Sequence, residues 1–119
     1  MPSPTQVRGA AAEDRAAAHL ESAGLRIVGR NLRCRCGELD LIAVHGDVLV
    51  IAEVRMRSSA GFGGAASSIG WLKRRRILCA TQYFLKRNPA WQRLRIRFDA
   101  LLLDDSGAVT WLQHAFDCG

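Results

Sequence analysis

The chain has 119 residues, 49% hydrophobic and 24% charged, with 17 Lys and Arg against 11 Asp and Glu and a net charge of +6. That length holds one compact domain with its own core, and the apolar share excludes an intrinsically disordered chain. No run of 18 apolar residues is present, which excludes a spanning helix, and Met1-Pro2-Ser3-Pro4 leads into polar Thr5-Gln6 instead of a signal core, so a cytoplasmic protein is expected.

Residues 1–7 read as a flexible arm and residues 8–119 as a single domain. Residues 9–23 are Ala-rich and helix-forming, with Gly24 where a terminal glycine would stop the helix. Leu25-Arg26-Ile27-Val28 alternates as a first strand. Residues 36–44 and 48–56 are apolar, β-branched runs around His45-Gly46-Asp47, the pattern of a hairpin. A glycine-containing loop over 58–64 precedes a long helix from near Ser68 to Arg87, closed by Asn88-Pro89. Strands at 94–103 and 109–113 flank the turn Asp104-Asp105-Ser106-Gly107. Two helices packed on one mixed sheet, an α/β architecture, follows from this order.

Charge is unevenly spread. Residues 51–97 carry eleven Lys and Arg but one acid, Glu53, whereas residues 98–119 carry four Asp and no base. A basic excess of that size points to a polyanion, most simply the phosphate backbone of a nucleic acid. Arg57 and the run Lys73-Arg74-Arg75-Arg76 supply the candidate phosphate contacts Arg57, Arg74, Arg75 and Arg76. Arg74 and Arg75 are expected to face solvent. Trp71, Tyr83 and Trp91 interleave with this charge and could stack on unpaired bases, although packing against the domain accounts for aromatics more often. Gly61-Phe62-Gly63-Gly64 lacks the following Lys-Ser/Thr of a phosphate loop, so nucleotide hydrolysis is not supported. Cys34, Cys36, Cys79 and Cys118 show neither C-x-x-C nor zinc-finger spacing and are expected to be reduced thiols.

The acids mark a site. A two-residue turn with Gly46 at its first central position fits a II′ hairpin and pairs positions whose numbers sum to 93. Asp40 then faces Glu53, and Glu38 faces Arg55, with Cβ atoms about 5 Å apart. On the strands, Glu38, Asp40 and Ile42 share one face, and Leu39, Leu41 and Ala43 the other. Facing carboxylates in an apolar hairpin require a cation or a base between them. Glu13 lies on the apolar stripe of the first helix with Ala17 and Leu20, and Lys73 on that of the second with Ile69, Ile77, Ala80 and Phe84. Such residues either snorkel to the rim or meet a partner at a site. Oxygen ligands without His or Cys suit Mg²⁺ or Mn²⁺, and a hard cation in a basic surround suits phosphodiester hydrolysis.

The segments Gly37-Glu38-Leu39-Asp40-Leu41-Ile42-Ala43 and Ile51-Ala52-Glu53-Val54-Arg55-Met56-Arg57 resemble the YraN family of small bacterial proteins. The ordered matches include Ala12-Glu13, Arg30-Asn31, Phe62-Gly63-Gly64-Ala65, residues 73–77, Arg97-Phe98-Asp99 and Ala115-Phe116, and so cover nearly the whole chain. That family looks like a branch of the PD-(D/E)XK nuclease superfamily. The resemblance implies a restriction-endonuclease-like fold, a central mixed sheet flanked by helices in the order α-β-β-β-α-β-β. It implies Asp40 and Glu53 as ligands of Mg²⁺ or Mn²⁺, with Glu13 assisting. Arg55 stands where that superfamily usually has lysine. Arginine cannot give up its proton in a protein, so Arg55 would bind phosphate or stabilise charge while Lys73 orients water. The implied activity is a metal-dependent endonuclease on branched or structured DNA. A non-catalytic nucleic-acid-binding or protein-interaction module on the same fold is the alternative. Cutting of two strands would imply a homodimer.

Overall fold

The computed structural model describes residues 4–57 and 69–118, with side chains from Gly9 onward. The loop expected over 58–64 and the helix start expected at Ser68 lie outside those residues. The elements are α1 (Pro4–Ser22), β1 (Arg26–Cys34), β2 (Gly37–His45), β3 (Val48–Met56), α2 (Trp71–Arg87), a 3-10 turn (Pro89–Trp91), β4 (Arg95–Leu103) and β5 (Val109–Leu112). The order α-β-β-β-α-β-β is the expected one.

Helix α1 begins at Pro4, not near Gly9, so residues 4–7 are helical where an arm was expected. Proline suits a first helical position because its fixed φ is helical and its missing N–H would find no partner there. The other end stops as the sequence indicates. Gly24 has φ +94, its N–H donates to the Glu21 carbonyl, and the Leu25 N–H donates to the Leu20 carbonyl. Those two bonds define a Schellman motif, and the Leu20–Leu25 contact that accompanies such a motif falls within the core.

The sheet runs β1-β2-β3-β4-β5, antiparallel except for the parallel β3–β4 pair. A parallel pair needs a long crossover, which α2 supplies. The helices cover opposite faces. Ala12, Ala16, Ala17 and Leu20 of α1 pack on Leu41, Ala43, Val50, Ala52, Leu101 and Leu103. Ile77, Ala80 and Phe84 of α2, with Ile69, pack on Ile42, Leu49, Ile51, Ala100 and Leu102. Strand β3 is covered on both sides, which is why residues 48–52 read as an unbroken apolar run. No helix among the described residues is long and apolar enough to cross a membrane.

Strand β1 continues to Cys34, well past the four residues expected. The sequence Gly29-Arg30-Asn31 reads locally as a break, yet pairing with β2 carries the strand through it, and Asn31 adopts φ +50. The register runs from Arg30↔Leu41 to Leu32↔Leu39, so Asn31 stands opposite Asp40. Both strands exchange faces at that level. Arg30 reaches Glu13 and Asp14 on α1, and Leu41 packs on the α1 side, whereas Leu32 and Leu39 pack on the α2 side. The expected sharing of one face by Leu39 and Leu41 is therefore corrected, because the left-handed residue in the neighbouring strand interrupts the alternation.

Cys36 and Cys79 form a disulfide across 43 residues, joining the β1–β2 turn to α2. This corrects the expectation of reduced thiols at these two positions; sequence spacing could not show that the turn meets the helix. At the same junction Gly37 lies so close to α2 that an added Cβ would strike the Arg76 carbonyl oxygen. Backbone cannot swing aside as a flexible side chain can. Gly37→Ala is expected to destabilise the fold by about 1–3 kcal/mol, read by urea unfolding, and an unchanged midpoint would show that the turn does not seat on α2.

Candidate active site

The site starts from a turn. Gly46 has φ +61 while Asp47 is not left-handed, the II′ combination. From His45↔Val48 to Leu41↔Ala52 the strands pair without a shift, in the register the turn dictates. Backbone pairing ends there. At the next position the Asp40 carboxylate takes over, accepting the Val54 N–H at 2.9 Å. β3 continues alongside β4, with Glu53 opposite Ala100 and Arg55 opposite Leu102. A notch thus opens between β2 and β3, with Asp40 on one wall and Glu53 on the other.

Glu53 is 1% exposed, an extreme position for a carboxylate. Its Oε1 has no hydrogen-bond partner, and its Oε2 lies 3.8 Å from Lys73 Nζ. The Asp40 carboxylate is near enough for its charge to act on Glu53. Burial first, and the Asp40 charge second, push the Glu53 carboxyl up to about 8, against the opposing pull of Lys73 and Arg55. Glu13 repeats the theme from α1. Burial and then Asp40 raise its carboxyl, Arg30 at 3.6 Å opposes them, and its Oε1 also finds no hydrogen-bond donor. Asp40 therefore repels two other carboxylates, one over each sheet face, because the exchange of faces at Asn31 leaves it at the open end.

The two helices meet the notch from opposite sides, Glu13 beside Asp40 and Lys73 beside Glu53. Lys73 is shared, since its Nζ is also 3.7 Å from Glu38. Glu38 was expected to face Arg55; its cations are instead Lys73 and Arg33, the latter at 3.6 Å, because the ladder has ended before that pair. Arg55 sits near enough to oppose the Glu53 shift, and its Nε has no partner. Asp99, the remaining buried acid, is saturated by Arg97, Trp111 and the His114 N–H, which makes it a structural anchor.

No three of the described His, Cys, Asp and Glu side chains form a complete cation cage. A pair of carboxylates suits Mg²⁺, which keeps several waters and takes one or two protein carboxylates. The donor-free Glu53 oxygen beside Asp40 is the feature a hard cation would satisfy, so the residues present fit that group.

The basic surface differs from expectation in one respect. Arg74 folds back to donate from Nε to the Ile69 carbonyl at 2.8 Å and is half-buried. That carbonyl precedes α2 and has no helical donor to meet, so the nearest guanidinium turns to it. Arg75 and Arg76 are exposed, as is Arg57 at the end of β3. Trp71 is 72% exposed with the Arg75 guanidinium 5.1 Å from its ring, and exposed Tyr83 carries Arg87 at 5.0 Å. Trp91 packs against the α2-side core. Arg30 was missed as a site neighbour; the segment Arg30-Asn31 was the available signal.

The free carboxyl ionises near 4.5, whereas Glu53 in the fold holds its proton to about 8. Between those values the unfolded chain has lost a proton that the folded chain keeps, so rising pH favours unfolding. Urea unfolding in EDTA should therefore show stability falling across that window by up to about 1.4 kcal/mol per pH unit. Glu53→Gln should flatten the slope, and a flat profile in the parent protein would contradict a donor-poor Glu53.

Residues 12–103 match the Uncharacterised protein family UPF0102. A UPF0102 protein of Pseudomonas entomophila (strain L48) is 45% identical over 114 residues, covering 92% of this chain and 93% of its own. One of Dechloromonas aromatica (strain RCB) is 51% identical over 112 residues, with 94% and 90% covered. One of Cupriavidus necator is 51% identical over 114 residues, with 95% and 85% covered. With the match spanning both walls of the notch and relatives aligned over nearly their full lengths, the chain belongs to UPF0102, the family to which the name YraN refers.

Proposed function

We propose that the protein is a Mg²⁺- or Mn²⁺-dependent endonuclease that hydrolyses phosphodiester bonds, with structured DNA as its substrate. The observation that supports this most directly is the buried Glu53 carboxylate beside Asp40, with one oxygen lacking any donor. Asp40 and Glu53 would hold the divalent cation, which when bound polarises a phosphoryl oxygen and lowers the pKa of its water. The chain's own residues account for the rest. Lys73, within ion-pair distance of both Glu38 and Glu53, would orient water or steady the developing charge. Arg55 keeps its proton, so it would act as a fixed positive charge beside the site and not as a base. Glu13, whose carboxyl is raised by burial and by Asp40, would assist from the α1 side as a further acid near the cation.

The surface chemistry agrees with a nucleic-acid substrate. Helix α2 carries six Lys and Arg and no acid. Exposed Arg75, Arg76, Lys86 and Arg87 on its outer face supply phosphate contacts. Trp71, two residues from Lys73, offers a stacking surface to an unpaired base.

One observation favours a second reading, a binding module without catalysis. Lys73 already lies within ion-pair distance of Glu53 and Glu38, so the carboxylate pair is partly neutralised by the protein itself.

Cleavage assays across duplex, flapped, branched and single-stranded DNA and RNA, with Mg²⁺ or Mn²⁺, separate the two. Cleavage that Asp40→Asn abolishes, with binding retained, is expected; Lys73→Met should slow it by about a hundredfold to a thousandfold. No cleavage of any substrate with either metal would leave only the binding module. Trp71→Ala should weaken binding of single-stranded DNA by about 1–3 kcal/mol while leaving fully paired duplex unaffected, as read by fluorescence anisotropy; equal losses on both would remove stacking from the account.

A further inference from the structure

Three of the four cysteines converge beside the notch, and the proposed nuclease chemistry uses none of them. Cys36 in the β1–β2 turn is bonded to Cys79 on α2, and the Cys34 Sγ lies 3.6 Å from the Cys36 Sγ. Cys34 is a free thiol, held by a contact of its sulfur with the Gly37 carbonyl at 3.4 Å. All three are partly accessible, and Cys34 and Cys36 line a cavity with Arg33, Glu38, Lys73 and Arg76. The fourth, Cys118, lines a different cavity with Ile69 and Trp71, and burial pushes its thiol up to about 11.

We infer that Cys34, Cys36 and Cys79 form a thiol–disulfide exchange site, in which Cys34 is the internal nucleophile and small-molecule thiols are the external reactants. Exchange proceeds by attack of a thiolate on one sulfur of a disulfide, and the free Cys34 sulfur at 3.6 Å is already within reach of the Cys36 sulfur it would attack. Cys34 loses its proton to solvent and its sulfur attacks Cys36 Sγ. The Cys34–Cys36 bond forms as the Cys36–Cys79 bond breaks, and Cys79 leaves as a thiolate that takes up a proton. One disulfide and one thiol are present before and after, so no oxidant or reductant is consumed. The bond moves from a link between two elements to a link within one turn.

The location gives the step a consequence. The Cys36–Cys79 bond ties the turn beside Glu38 to the helix that carries Lys73, at the point where Gly37 is pressed against the Arg76 carbonyl. After exchange, α2 keeps its apolar contacts with the sheet but loses that covalent tether. A small thiol entering the cavity finds the new bond near the surface and can open it by forming a mixed disulfide with Cys34 or Cys36. This chemistry is independent of whether the carboxylate notch cuts nucleic acid.

The test is disulfide mapping of the oxidised full-length protein. It is held folded at mildly alkaline pH, quenched with acid, alkylated and digested without reductant. Both Cys36–Cys79 and Cys34–Cys36 linkages are expected, with Cys79 alkylated in the fraction that carries the second. Cys79→Ser should retain a Cys34–Cys36 bond after oxidation, and its Tm establishes that it is folded. Cys34→Ser keeps the tether and should be reduced by glutathione about tenfold more slowly than the parent. A parent protein with Cys36–Cys79 alone and Cys34 fully alkylated, or a Cys34→Ser variant reduced at the parent rate, would overturn the exchange site.

Discussion

Two carboxylates forced side by side where a β-ladder ends set the terms for the rest of the molecule. Asp40 and Glu53 come together because the II′ turn at Gly46 fixes the hairpin register, and because backbone pairing stops one position short of them. Asp40 replaces the missing ladder bond with its own side chain, on the Val54 N–H. Glu53 gains no such donor on Oε1 and answers by holding its proton far above the ordinary range. A buried, unsatisfied carboxylate is costly. Its neighbours follow from that cost: Lys73 is drawn in from one face of the sheet, and Arg30 offsets Glu13 on the other.

This constraint also explains why opposed helices serve one site. α1 and α2 cover different faces and share no core cluster. Their charged residues approach one another at the open end of the sheet, where the face exchange at Asn31 lets Asp40 influence Glu13 while Glu53 keeps to the α2 side. Charge on the outer face of α2 has the opposite sign. α2 presents Arg75, Arg76, Lys86 and Arg87 to solvent with no acid among its residues, so a polyanion drawn to that surface arrives next to Lys73.

Much of this was legible in the sequence, for local reasons. Gly46 set the register through a turn of two residues, Gly24 set the end of α1, and the interruption of the α2 stripe by Lys73 marked a charge facing the sheet. What was not legible depends on contacts between distant segments. The left-handed Asn31 alters the faces of β2 as well as β1, which alternation within either strand cannot reveal. The disulfide joins residues 43 apart through the docking of a turn on a helix. Arg74 reads as one more solvated base in a run of four until the Ile69 carbonyl claims it. Pro4 opens α1 although the residues after it carry weaker helix signals than the alanines from Ala10 onward.

The central claim is that Asp40 and Glu53 together hold a divalent cation. Isothermal titration of Mn²⁺ into the metal-free protein measures this without reference to any substrate. The account predicts binding at a single site, released protons that report Glu53 giving up its own, and loss of that binding in both Asp40→Asn and Glu53→Gln. Absence of binding at a pH where Glu53 can ionise, or binding that survives both substitutions, would contradict it.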